Sequence, residues 1–148
     1  MEFTRLIEAL AEKLGIEITD EGGAAAVGID GLTVLLHEAD NDLLLLHADL
    51  GEIPAGGRDV LSVAALKANF LYQGTGGSTL AVDSRDGHLH LQKYNWLDRL
   101  DAEKAAADIA RFAETANVWM KLVAETEAGT PAAAEDPSAP MPGGFMQV

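Results

Sequence analysis

Two Asp-Gly pairs, Asp30-Gly31 and Asp86-Gly87, each lie between short apolar stretches, and they limit what this chain can fold into more than any other feature. Both residue types tolerate the positive backbone angles of a tight turn, so each pair predicts a hairpin and with it antiparallel pairing. Ala25, Val27 and Ile29 alternate before the first pair, and an apolar run through Leu32–Leu36 follows it. Ala39-Asp40-Asn41-Asp42 then separates that run from Leu43-Leu44-Leu45-Leu46, which extends the hairpin to a three-strand meander. Thr79–Val82 and His88–Tyr94, joined by Ser84-Arg85-Asp86-Gly87, predict two further strands.

The remaining segments carry a helical period. Phe3, Leu6, Ile7, Leu10 and Leu14 recur on one face, with Glu8, Glu12 and Lys13 left for solvent, and Gly15 supplies a left-handed stop. A second helix is expected over Asp59–Tyr72, where Leu61, Ala65, Leu66 and Phe70 are the apolar positions and the alanines leave shallow surface. A third begins after Asp101, a suitable N-cap, with Ala105, Ile109, Phe112, Ala116, Met120 and Val123 as its stripe and Trp119 on one side of it. The order helix, three strands, helix, two strands, helix describes an α+β chain whose antiparallel sheet packs with helices. No internal repeat or strand-crossover period points to a solenoid or a doubly wound fold.

The chain has 148 residues, and residues 1–126 are expected to form one domain. Glu127–Val148 holds four of the five prolines and no lysine or arginine, a composition that predicts a disordered tail; Met141, Phe145, Met146 and Val148 are its apolar residues. Lysine and arginine number 10 against 24 acidic residues, a formal charge of −14, so nucleic acid and anionic membrane are not expected partners. The absence of cysteine removes disulfides, thiol nucleophiles and cysteine-rich zinc sites. The N-terminal residues mix charge with apolar groups, unlike a secretory signal, and the longest apolar runs are too short to cross a bilayer as helices. A cytoplasmic protein without membrane insertion is the expectation.

Chemistry finds few footholds. The cluster Gly74, Gly76, Gly77 lacks the arrangement of lysine followed by serine or threonine of a phosphate loop and is expected to be a return from helix to strand, with Asn69 beside it as a cap or local hydrogen-bond group. His88 and His90 should share one side of a strand, while His37 and His47 belong to other strands; two histidines do not by themselves complete a zinc site. Asp83 and Asp86 read as turn residues, and Ser62, Ser78 and Ser84 have no neighbouring base. No catalytic residue, cofactor or metal site is therefore expected. The rival reading is a small hydrolase or isomerase whose polar residues meet only in three dimensions.

Several local patterns in order carry a family resemblance: Leu66-Lys67-Ala68-Asn69-Phe70 before Gln73-Gly74-Thr75-Gly76-Gly77, Ser78–Asp83, Gly87–Gln92, Leu97-Asp98-Arg99-Leu100-Asp101, and the long alanine-rich helix. Over roughly Phe3–Val123 the chain resembles the class I chaperones of bacterial type III secretion, the Tir chaperone family. The resemblance implies a homodimeric α+β secretion-chaperone fold in the cytoplasm of a Gram-negative bacterium. It also implies ATP-independent binding of the N-terminal segment of a type III effector, held extended and competent for secretion. Contact with a secretion ATPase or sorting platform is a further implied partnership, and a regulatory or structural adaptor binding an apparatus protein is the alternative. Under this resemblance, Phe3, Leu6, Leu10, Leu35 and Leu45 are candidates for the client surface or the core beneath it. Leu61, Ala65, Leu66 and Phe70 are candidates for the dimer interface.

Overall fold

The computed structural model describes residues 2–40 and 42–127. The expected tail from residue 128 onward lies outside the described residues; Glu127, placed in the tail by composition, closes the last helix. The elements are α1 (Phe3–Leu14), β1 (Ala24–Ile29), β2 (Leu32–Ala39), β3 (Leu43–Glu52), α2 (Arg58–Asn69), β4 (Thr79–Val82), β5 (His88–Trp96) and α3 (Ala102–Glu127). Short 3-10 turns flank α2 and follow β5. This is the α+β order expected from the periodicities, with the second helix breaking at Asn69 into a 3-10 turn over Phe70–Tyr72 and the last strand reaching two residues further. The five strands make one antiparallel sheet in the order β1-β2-β3-β5-β4.

Turn chemistry places the strands. Asp30 and Gly31 both take positive φ, 50° and 79°, as a two-residue hairpin requires, and pairing runs from Ile29↔Leu32 to Ala24↔His37. Ala39↔Leu43 closes the next hairpin, with Asp42 at φ 59°. The second Asp-Gly pair sits in a longer connection, where only Gly87 has positive φ and its N–H bonds the Asp83 carbonyl at 2.8 Å. Gly15 ends α1 as expected: its N–H bonds Glu12 O while that of Ile16 reaches Ala11 O at 3.1 Å, a Schellman closure. Asp101 caps α3 through Oδ1, which accepts the Lys104 N–H at 2.8 Å.

The chain forms two compact units, and β3, β5 and α3 each contribute residues to both. The first contains residues up to 48 and 93–113. Its core is built from Phe3, Leu6, Ile7 and Leu10 of α1, Val27, Val34, Leu36, Leu44 and Leu46 of the strands, and Ile109 and Phe112 of α3. The second contains residues 49–92 and the rest of α3. Leu61, Ala65 and Ala68 of α2 are buried there with Leu80, Leu89, Leu91, Ala116, Trp119 and Val123. Trp119 Nε1 donates to Gly74 O at 3.0 Å, so the glycine-rich return from helix to strand is fastened to α3. Met120, assigned to the apolar stripe by its spacing, is only half-buried while Trp119 is 2% exposed, so the buried line of α3 runs through the tryptophan.

Candidate functional site

In the first unit, β2 and β3 carry leucines on both faces. Alternation buries Leu36, Leu44 and Leu46 and turns Leu35, Leu43 and Leu45 to the other side, where they are half-buried. The pairing sets Leu35 opposite His47 and His37 opposite Leu45, so leucine and imidazole form a checkered patch, with the two rings 6.3 Å apart. Ala24 and Ala26 extend the same face onto β1 without bulk. Along β5, Lys93 turns to α3 and meets Asp108 at 3.4 Å, which leaves Tyr94 and Trp96 pointing away and about half exposed. The Leu97 N–H bonds Asp42 O at 2.9 Å and so lays this aromatic stretch beside the start of β3. An apolar side chain entering this surface gains about 25 cal/mol for each Å² it removes from water.

Of the residues singled out for a client surface, Leu35 and Leu45 belong to this patch, whereas Phe3, Leu6 and Leu10 are core residues at 2% exposure or less. Their spacing identifies a buried helix face but does not separate it from a recognition face. Tyr94 and Trp96 add to the patch; their alternation after Gln92 is the signal that identifies them.

In the second unit, α2 has two apolar stripes. Leu61 and Ala65 lie on the buried one, while Leu66 and Phe70 lie on the other, 70% and 66% exposed. Val60 and Val63 continue the exposed stripe at helical spacing, and Leu71 and Tyr72 extend it beyond the helix. Leu71 and Tyr72 both adopt positive φ, 52° and 56°, a costly conformation for bulky residues that turns two more apolar side chains outward.

The two edge strands differ. Glu38 N–H bonds Gly23 O at 2.7 Å, and ladder alternation then directs Ala25, Val27 and Ile29 toward β2 and the backbone groups of Ala26 and Gly28 toward the open side. On β4 the residue in the corresponding position is Leu80, whose N–H bonds Asn69 Oδ1 at 2.8 Å and whose carbonyl accepts from Asn69 Nδ2 at 2.9 Å. One carboxamide thus stands in for a neighbouring strand. Asn69 is a hydrogen-bonding residue, as expected, but its partner lies eleven positions away.

A polar cluster occupies the turn end of the same unit. His88 Nδ1 lies 2.9 Å from both oxygens of Asp49 on β3, and its pKa is raised by that hydrogen bond. Burial pushes the Asp49 carboxyl up, but the Gly51 N–H and His88 outweigh it and hold the group below its ordinary value. Asp83 is lowered to about 2 by the Arg85 side chain, which binds both carboxylate oxygens. His90 Nε2 approaches Asp86 at 3.3 Å. Asp83 and Asp86 therefore act as turn residues, and no nucleophile, base and orienting group converge among them.

Residues 5–120 match the Tir chaperone protein (CesT) family. No curated protein matches the chain. Among solved structures, the ExsC-ExsE complex aligns with a TM-score of 0.67 at 24% identity, covering 80% of this chain and 91% of that one. The HopA1-SchA chaperone-effector complex aligns at 0.65 with 19% identity, covering 80% and 93%. The Yersinia pestis type III secretion chaperone SycH, in complex with a stable fragment of YscM2, aligns at 0.61 with 24% identity, covering 80% and 99%. At these identities the alignments establish the shared fold.

Proposed function

The chain belongs to the Tir chaperone protein (CesT) family, and from that premise we propose that it binds the N-terminal, chaperone-binding segment of a type III effector and keeps it extended for secretion. The observation that carries this reading is the leucine and aromatic surface of the first unit, Leu35, Leu43, Leu45, Tyr94 and Trp96, beside an edge strand whose outward backbone groups are accessible. An extended peptide can place alternate side chains on such a surface and satisfy its own backbone by adding to the edge. Related complexes support the assignment: HopA1-SchA is a chaperone-effector complex, and ExoU-SpcU is a heterodimeric complex from the type III secretion system of Pseudomonas aeruginosa. Binding of this kind is non-catalytic and needs no nucleotide. Its place is the cytoplasm of a Gram-negative bacterium; among the described residues no helix is long and apolar enough to cross a membrane. Contact with a secretion ATPase or sorting platform would follow client capture.

Homodimerisation through α2 is part of the proposal. Leu66 and Phe70, with Val60 and Val63, supply an exposed apolar stripe, while Leu61 and Ala65 support it from the core. Sedimentation at low micromolar concentration should give mainly a dimer, and Leu66→Glu with Phe70→Glu should give a folded monomer. The client claim is tested by capture from the native bacterium followed by peptide-level crosslinking. Crosslinks from an effector N-terminus to β1–β3 are expected, together with at least a tenfold affinity loss for Leu35→Asp with Leu45→Asp, about 1.4 kcal/mol. Reproducible recovery of only a stable apparatus protein would favour the adaptor reading; recovery of only a folded enzyme or nucleic acid would defeat the proposal.

A further inference from the structure

We infer that Asp49, Asp86 and His88 form a binding site for one divalent transition-metal ion of the Zn²⁺ type. One ligand atom from each of the three residues lies within 4.8 Å of the others. They come from different places: Asp49 from β3, Asp86 from the β4–β5 connection and His88 from the first position of β5. All three belong to the second unit. Zinc binds imidazole nitrogen and carboxylate oxygen at about 2.0 to 2.2 Å, so its ligand atoms lie close together, and His88 Nδ1 is already 2.9 Å from both Asp49 oxygens. An ion would replace the hydrogen as the partner shared by His88 and Asp49, seated off the line between nitrogen and carboxylate because its bonds are about 2.0 to 2.2 Å, with Asp86 as the third ligand and water completing the shell.

The histidine sets this group apart from an ordinary acidic turn. Imidazole suits zinc, copper and nickel, whereas magnesium and calcium prefer an all-oxygen shell. The carboxylates are also held from behind: Gly51 N–H bonds Asp49 Oδ1 at 2.9 Å, and His88 N–H bonds Asp86 Oδ1 at 2.8 Å. Such outer contacts fix ligand orientation before the ion arrives. The nearby guanidinium of Arg85 is held by Asp83 through contacts of 2.9 to 3.2 Å. That pair also decides between two overlapping groups. Asp83, Asp86 and His90 have a similar arrangement, but both Asp83 oxygens are engaged by Arg85, which leaves the Asp49 group as the better site. The inference is independent of the chaperone reading.

The test is isothermal titration of the tag-free, full-length protein with ZnCl₂ in a buffer that does not chelate zinc. Wild type should take up one ion per chain saturably, and His88→Ala and Asp49→Asn should each weaken binding by roughly tenfold or more. The double substitution His37→Ala and His47→Ala should leave zinc uptake unchanged, and excess Mg²⁺ should not compete. Far-UV circular dichroism establishes that each variant is folded. A readout on wild type needs no substitution: zinc should shift the His88 Nδ1 resonance in a histidine-selective nitrogen spectrum. Absence of saturable uptake, uptake preserved in both site variants, or saturation that leaves the His88 resonance in place would each overturn the site.

Discussion

The two edges of the sheet end in opposite ways. At β4 the outward backbone groups of Leu80 are occupied by Asn69, and the turn leading into the strand is fastened by the buried Trp119. At β1 the outward groups belong to Ala26 and Gly28, and the strand entrance is held by Asp20, which accepts from Thr4 Oγ1 at 2.7 Å and from the Gly23 N–H at 2.8 Å. An unprotected edge is ordinarily a hazard for aggregation. Leaving one accessible while the other is closed by a dedicated side chain is the arrangement expected of a sheet that accepts an added strand on one side only. The small residues of β1 fit this role, because they let a second backbone approach.

The largest expected effect comes from loosening the closed edge from beneath. Trp119→Ala removes a buried indole and the donor to Gly74 O, and chemical denaturation should show a loss of about 3 to 5 kcal/mol. Asn69→Ala should cost less, roughly 1 to 3 kcal/mol, by leaving the N–H and carbonyl of Leu80 unpaired. It should also add concentration-dependent association through the reopened edge, visible by light scattering. If Asn69→Ala is neutral in both readouts, the contrast between the edges fails.

A smaller change sharpens the comparison from the other side. Ala26→Pro removes an N–H that points away from β2, so thermal stability should change little while client affinity falls about tenfold, some 1.4 kcal/mol. The companion Val27→Pro removes an N–H directed into the ladder and should destabilise the fold itself. Equal thermal shifts for the two variants would mean that the ladder has the opposite phase.

The smallest effect is the pH response of the Asp20 clamp. Its pKa is lowered from 3.8, first by the Thr4 hydrogen bond and then by the Gly23 N–H. A carboxyl with a depressed folded pKa contributes stability that is fully present above its unfolded value and is lost as pH falls below that value through the folded one. The contribution should therefore fade below about pH 4 in wild type and be missing at every pH in Asp20→Asn. Denaturation curves whose difference between the two proteins does not narrow on acidification would remove the clamp from the account.

Much of this architecture is legible in the chain because local chemistry and long-range packing agree. The α1 stripe and its glycine stop, the Asp30-Gly31 turn and the Asp101 cap each have a short-range cause, and the structure reproduces them. The resemblance carried by Leu66–Phe70 and Gln73–Gly77 agrees with the family match over residues 5–120. The surfaces are less legible. Periodicity reports that Leu61, Ala65, Leu66 and Phe70 are apolar on one helix, but only packing shows that the first two face inward and the last two outward. Spacing also cannot find Asn69 with Leu80, or Asp49 with His88, since those partners are brought together by the fold.

Runs of leucine such as Leu43–Leu46 place the same side chain on both faces of a strand. Over those four positions a displacement by one residue would exchange leucine for leucine, so the penalty that keeps a half-buried strand in phase comes from the far half of β3, where a slip would carry His47 and Asp49 inward and Leu50 outward. Near the start of the strand, phase rests on the connections. Asp30-Gly31 and Asp42, with their left-handed backbones, act as the ratchet that stops the slide. Where a strand is apolar on both faces, folding fidelity is thus shared between the core and the corners, and replacing Gly31 with a β-branched residue should weaken the β1–β2 register before it unfolds the chain.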